Sequence, residues 1–260
     1  MTALQIIGGG KMGQALLGGL LAADWAGPDD LAVVEVLPEL RAELVERFPG
    51  VDVRSVPLSD IDTMVAVKPH FVVDVCRGLH TPTRVLSVAA GITLAAMEDA
   101  VPSGTPVIRV MPNTPALVGV GAAALSGGSS ATEADVEWAT GILRAVGEVV
   151  VVTEAQLDAV TGLSGSGPAY VFLVAEALID AGVSAGLPAE VATTLATQTL
   201  LGAATLLAQG EGTAAEQRAA VTTPAGTTAA GLRVLEQRAV RAAFIDAVQA
   251  ATDRSRQLGG

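Results

Sequence analysis

Leu4-Gln5-Ile6-Ile7-Gly8-Gly9-Gly10-Lys11-Met12-Gly13 runs straight into the helical stretch Ala15 to Leu21 and points to the fold of the first half of the chain. A short apolar run followed by a turn spaced G-x-G-x-x-G and then a helix is the opening of a βαβ unit. Glycines there permit a tight turn and let the backbone approach a pyrophosphate, which rests on the N–H groups and positive dipole end of the helix. A Gly-rich turn that holds nothing is the competing reading. The strand before it and the helix after it favour the ligand, and they nominate Gly8, Gly10, Lys11, Met12 and Gly13 as cofactor-binding.

Glu35 supports the same reading. It closes the next apolar run, where a carboxylate can accept hydrogen bonds from an adenosine ribose diol. A free diol belongs to NADH, whereas the 2′-phosphate of NADPH would be repelled by Glu35 unless an arginine stood beside it. The residues that follow are Val36 and Leu37. The expectation is therefore NADH or NADPH with NADH favoured, although Lys11 or Arg41 remains within reach of a phosphate.

Outward from this segment, short β-branched runs alternate with helical stretches up to residue 152, as parallel strands joined by helical crossovers require. The expected strands are Leu4 to Ile7, Leu31 to Glu35, Thr63 to Val67, Arg84 to Val88, Val107 to Val110, Gly121 to Leu125 and Glu148 to Val152. This predicts an α/β, Rossmann-type doubly wound parallel sheet over residues 1–152. Val67-Lys68-Pro69 and Ala89-Ala90-Gly91 end the third and fourth of these strands, at the edge where open α/β sheets bind ligands. Small residues there suit a flat nicotinamide ring. The chain has only two lysines, Lys11 and Lys68, and both fall beside the proposed cofactor; the plain alternative for Lys68 is a solvated surface lysine.

From 153 to 260 the pattern changes to long Ala- and Leu-rich segments at helical spacing, which predicts an all-α domain. A first long helix is expected after Gly165-Ser166-Gly167-Pro168, with Pro early in the helix. Gly182 and Gly186-Leu187-Pro188 supply the break before the next helix. Gly210-Glu211-Gly212 and Thr222 to Thr228 are the remaining polar breaks, the latter leading into a helix near Ala229.

Composition narrows the function. Half of the residues are hydrophobic but only 3% are aromatic, so the core is built from Ala, Val and Leu. A net charge of −12 without a basic stripe argues against nucleic acid. Mean hydropathy is +0.52, yet Ala169 to Ala181 carries Glu176 and Asp180, and Thr193 to Ala208 is laced with Thr and Gln. Both read as helices buried between subunits rather than membrane spans. The single Cys76 forms no intrachain disulfide, and the first strand follows no basic leader, so a cytoplasmic location is expected. No metal site is expected.

The second half contains no Lys, His or Cys, so the usual proton acceptors of an alcohol dehydrogenase are missing from it. Tyr170 reads as a packed core aromatic; His70 and His80 lie in the first half, His80 in a surface loop. Reduction of an imine fits this shortage, because a protonated imine is already an electrophile and needs orientation and a hydrogen-bond donor. The Thr222 to Thr228 loop offers several donors and a helix start on which a carboxylate can rest. An ordinary capped turn is the equal alternative.

Several separated segments resemble the pyrroline-5-carboxylate reductase family along nearly the whole chain. They are Gly8 to Gly13, Ala66-Val67-Lys68-Pro69, Ala89-Ala90-Gly91-Ile92, Arg109-Val110-Met111-Pro112-Asn113, Leu163 to Tyr170 and, most specifically, Val221 to Leu232. The resemblance implies NAD(P)H-dependent reduction of 1-pyrroline-5-carboxylate to L-proline, by a homodimer with interlocked helical domains that often assembles into a decamer of five dimers. By position it implies that Thr228 bonds the imine nitrogen as the catalytic residue. Thr223, Gly226 and Thr227 would hold the substrate carboxylate, Glu211 would lie near the ring, and Asn113 with Ala89 to Gly91 would line the nicotinamide. Two departures stand out: Ala225 replaces the commonest Gly of the signature loop, and an Arg often found just after the second strand is absent. The competing functions are a β-hydroxyacid dehydrogenase-like oxidoreductase, which would carry a lysine on the helical domain, and a non-catalytic dinucleotide sensor.

Overall fold

The central apolar runs of the first half, at residues 4–7, 31–34, 62–65 and 84–87, become strands because they are buried on both sheet faces. The computed structural model describes residues 2–210 and 212–259. In chain order the elements are β1 (Leu4–Ile7), α1 (Lys11–Ala22), β2 (Leu31–Val34), α2 (Pro38–Arg47), β3 (Asp52–Arg54), β4 (Asp62–Val65), α3 (Val72–Arg77), β5 (Arg84–Ser87), α4 (Leu94–Glu98), β6 (Val107–Met111), β7 (Gly121–Gly127), α5 (Glu133–Arg144), β8 (Gly147–Val151), α6 (Leu157–Val160), α7 (Gly167–Ser184), α8 (Ala189–Ala208), α9 (Ala214–Ala220), α10 (Thr227–Gln237) and α11 (Val240–Gly259). Among the described residues the strands form one eight-stranded sheet in the order β3-β2-β1-β4-β5-β6-β7-β8. The order reverses beside β1, so the crevice between β1 and β4 at their carboxyl ends is the switch point where such sheets take ligands.

Two features of the sheet differ from the expectation. β7 runs antiparallel to β6 and parallel to β8, so the sheet is mixed. β3 is an added edge strand of only Asp-Val-Arg beside β2. On one face, Leu16, Leu17 and Leu20 of α1 pack with Leu4, Ile6, Met64, Ile108, Ile142 and Leu143. On the other, Val72 and Cys76 of α3 pack with Ile7, Val65, Val85 and Met97.

Burial pushes the Cys76 thiol up to about 11, so almost none of it is thiolate at neutral pH. A chromogenic disulfide reagent should find no thiol in the folded protein and one after denaturation; fast labelling of the native state would contradict this.

The chain forms two compact units, one running up to Ser166 and rejoined by the segment from Gln249 onward, the other Gly167–Val248. The division thus falls after Ser166 rather than after residue 152, and the end of α11 returns to the first unit. Ser255 Oγ donates to Asp158 Oδ1 at 2.7 Å there. Helical backbone also begins earlier than expected, at Glu154, and runs on to Ser184. A π turn at Thr161–Gly165 precedes α7; Pro168 has no N–H to give, and a π turn absorbs such an interruption of the ladder.

In the second unit, α7 and α8 pack on each other with Gly182 close against Ala192. The helix Glu154–Ser184 and α8 are each long and apolar enough, by length and composition, to cross a membrane. Within the single chain most of their apolar surface is open: Val171, Phe172, Leu173, Leu195 and Leu201 are all more than half exposed. α10 begins at Thr227, slightly before the expected Ala229. It is separated from α11 by a left-handed residue, Ala239 (φ 54°).

Candidate active site

The glycine loop follows β1 directly. Gly8 has φ +109°, and a Cβ there would stand 2.7 Å from the Ala66 carbonyl oxygen, so the loop is locked against the end of β4. A Cβ on Gly13 would collide with the Gly8 carbonyl, which is the close helix–loop approach the motif requires. Gly10 is different: a Cβ there would meet no atom within 4 Å. Gly10 is also the N-cap of α1, and no side chain caps that end. The first N–H groups of α1 therefore face an open cradle, beside the switch point, that fits a pyrophosphate. Lys11 is exposed and lines a groove of about 370 Å³ on α1 with Gln14, Arg47 and Leu117.

Glu35 does not sit as an open acceptor. It is 8% exposed, its Oε2 accepts from the Gly9 N–H at 2.9 Å and its Oε1 from the Leu37 N–H at 3.0 Å. Arg41 stands at the same strand end, its Nη1 donating to the Glu35 and Val36 carbonyl oxygens, each at 2.9 Å.

Lys68 and Pro69 are exposed beyond β4, and Ala89 to Gly91 follow β5, with Gly91 at φ +76°. Pro69 and Ala90 to Ile92 line a cavity of about 360 Å³ that the end of α11 closes through Arg254, Ser255 and Leu258, with Thr161 and Ser166 of the π turn beside them. Asn113 is near this π turn but its amide is engaged: Nδ2 donates to the Ser164 carbonyl at 3.1 Å and Oδ1 accepts from the Ala122 N–H at 2.9 Å. Its side chain braces the turn.

A clasp that sequence reasoning missed pins the start of α4, just after the Ala89 to Gly91 loop. Arg109, in β6 and 7% exposed, donates to Glu154 Oε1 at 3.0 Å, and the same oxygen accepts from the Leu94 N–H at 2.7 Å. The signal was present, since a charge inside the apolar run Val107 to Val110 needs a partner. Glu154→Ala would strand the Arg109 guanidinium. Because Glu154 is a third exposed, the cost is expected to be about 2 kcal/mol, below that of a fully buried pair. Urea unfolding should show it together with weaker cofactor binding; an unchanged midpoint would remove the clasp.

In the second unit Thr223 and Thr227 are exposed, and Gly226 and Thr228 half-buried. Gly226 is the N-cap of α10 and no side chain caps the helix, so the first-turn N–H groups stay open for an anion. A Cβ on Gly226 would strike the Thr223 hydroxyl, which requires Gly at this position. Ala225 takes φ 60°, so the turn survives with a residue held in the left-handed region. Ala225→Gly should raise stability by about 0.5–1 kcal/mol, since relief of left-handed strain outweighs the added unfolded-state entropy; a lower melting temperature would contradict this. Glu211 lies outside the described residues. Tyr170, in α7, is half-buried within the chain and not a core residue, while His80 is exposed.

A sequence-family model described as pyrroline-5-carboxylate reductase dimerisation matches residues 154–258, and one described as NADP oxidoreductase coenzyme F420-dependent matches residues 3–91. A pyrroline-5-carboxylate reductase of Corynebacterium melassecola is 42% identical over 100% of this chain and 99% of its own. The chain belongs to the pyrroline-5-carboxylate reductase family. Among solved structures, the reductase of Coxiella burnetii superposes with a TM-score of 0.94 at 34% identity, covering 100% of this chain and 99% of that one. The Plasmodium falciparum pyrroline carboxylate reductase with NADP bound gives 0.83 at 27% identity over 100% and 98%. These reductases share the Rossmann-like sheet and helical C-terminal region described above. The compact second unit begins at Gly167, inside the segment that the dimerisation model matches.

Proposed function

We propose that this enzyme binds the imine of 1-pyrroline-5-carboxylate through Thr228 and its carboxylate through the open start of α10. The chain is an NAD(P)H-dependent oxidoreductase that forms L-proline from this cyclic imine. The observation that carries the site assignment is the uncapped N-terminus of α10 at Gly226, within a Thr-rich loop whose turn is held even at the expense of a left-handed Ala225. Bound cofactor supplies hydride from its reduced nicotinamide. The cradle at Gly10 and α1 takes the pyrophosphate, and the loops Val67 to Pro69 and Ala89 to Gly91 seat the nicotinamide.

The chain's own part is orientation and charge. First-turn N–H groups of α10, with Thr223 and Thr227, anchor the carboxylate and fix the ring. The Thr228 hydroxyl hydrogen-bonds the ring nitrogen and holds its proton, so the imine carbon stays electrophilic until the amine has formed. Glu211 is assigned to the rim of the ring. No acid–base residue of the alcohol-dehydrogenase type is needed, consistent with a helical region lacking Lys and His.

The exposed apolar faces of α7 and α8 are covered by the same faces of a second copy, giving a homodimer of interlocked helical regions; five such dimers form the larger assembly. The enzyme is soluble and cytoplasmic. A test of the carboxylate seat is to compare pyrroline-5-carboxylate with 1-pyrroline, which lacks the carboxylate. The seat predicts a large loss of kcat/KM for 1-pyrroline, and equal efficiency would exclude it.

A further inference from the structure

Resting on the reading of the chain as an NAD(P)H-dependent reductase, we propose that Arg41, and not Glu35, reads the adenosine end of the cofactor. The chain then takes the 2′-phosphorylated dinucleotide in preference to the unphosphorylated one. The sequence alone suggested the reverse, because Glu35 ends β2 and no arginine follows it directly.

Two observations reverse that expectation. A ribose diol needs a carboxylate it can reach, but Glu35 is 8% exposed and both of its oxygens already accept backbone N–H groups, from Gly9 and from Leu37. Its bond to Gly9 makes it a brace of the glycine loop, tying the loop to the end of β2. Val36 and Leu37, which follow it, are 74% and 55% exposed, so the residues next after Glu35 present apolar surface.

Arg41 supplies the charge at this tip. It lies on the first turns of α2, and the carbonyl oxygens of Glu35 and Val36 fix its guanidinium through Nη1. Nε and Nη2 have no partner among the described residues. A guanidinium held by one nitrogen with its remaining donors open is pre-set for a phosphate. The neighbouring Arg54 of β3 is not equivalent, since its charge is paired with the Asp52 carboxylate (Nε to Oδ2, 3.2 Å), whereas Arg41 is held by neutral carbonyl oxygens. The arginine missing just after β2 is thus replaced from the following helix.

The test is calorimetric binding of 2′,5′-ADP and 5′-ADP to the full-length enzyme, with no turnover involved, for wild type, Arg41→Ala and Glu35→Gln. Wild type should bind 2′,5′-ADP roughly tenfold or more tighter than 5′-ADP, the effect of one or two charge-assisted hydrogen bonds. Arg41→Ala should erase that ratio while leaving 5′-ADP unchanged. Glu35→Gln should weaken both ligands together, as loss of a loop brace would. Equal or tighter binding of 5′-ADP by wild type, or a ratio that survives Arg41→Ala, would overturn the assignment, as would a selective loss of 5′-ADP in Glu35→Gln. Failure of wild type to bind either nucleotide would overturn the dinucleotide reading itself, and this inference with it.

Discussion

Replacing Thr228 by alanine is expected to lower turnover of pyrroline-5-carboxylate by tens to hundreds of times while leaving cofactor affinity intact. The substitution removes the hydroxyl that bonds the ring nitrogen, where charge changes as the amine forms, and such a hydrogen-bonding group contributes on the order of 2 to 3 kcal/mol to the transition state. The fold should tolerate it. Thr228 lies in the first turn of α10, where alanine is a good helix residue and no capping bond is lost. The signature of this role is a fall in kcat and kcat/KM together, with partial recovery in Thr228→Ser. Turnover equal to wild type would remove Thr228 from the mechanism.

Gly10→Val should sharply weaken cofactor binding without unfolding the protein. A Cβ at Gly10 meets nothing within 4 Å, and the backbone there has φ −70° in the extended region, which valine accepts. The added methyls occupy the cradle assigned to the pyrophosphate. Forcing such groups against a fitted partner costs about 1–3 kcal/mol, or up to roughly 100-fold in affinity. The contrast with Gly8→Ala makes the test specific: Gly8 has φ +109° and packs against Ala66, so that variant should lose stability as well. If Gly10→Val binds cofactor normally, the pyrophosphate does not lie there.

Of the strands that sequence reading found, β1, β2, β4, β5 and β6 carry buried apolar runs, whereas β7 is Ala-rich and the valines of β8 are largely exposed. β3 escaped it because Asp52-Val53-Arg54 is three residues long, charged at both ends and partly exposed; only its pairing with β2 makes it a strand. The reversed direction of β7 was equally hidden, since a run of apolar residues does not state which way it points. The glycine loop was readable because Gly8 and Gly13 answer steric demands that only glycine meets, while Gly10 leaves open the space a ligand needs. Glu35 was readable as important but not as engaged, because its partners are backbone N–H groups of Gly9 and Leu37 that leave no mark in composition. The return of α11 to the first unit rests on polar contacts such as Ser255 to Asp158, which carry no periodic signal. Most of the apolar faces of α7 and α8 remain open within one chain, and the buried location assigned to them from sequence requires a second copy.

Imine reduction by this enzyme is checked by the formation of proline itself. The enzyme is incubated with pyrroline-5-carboxylate and either NADPH or NADH, and cofactor oxidation is followed alongside chromatographic measurement of proline. One proline should form for each cofactor oxidised, with NADPH the better donor. Absence of both proline and cofactor oxidation with either donor would contradict it.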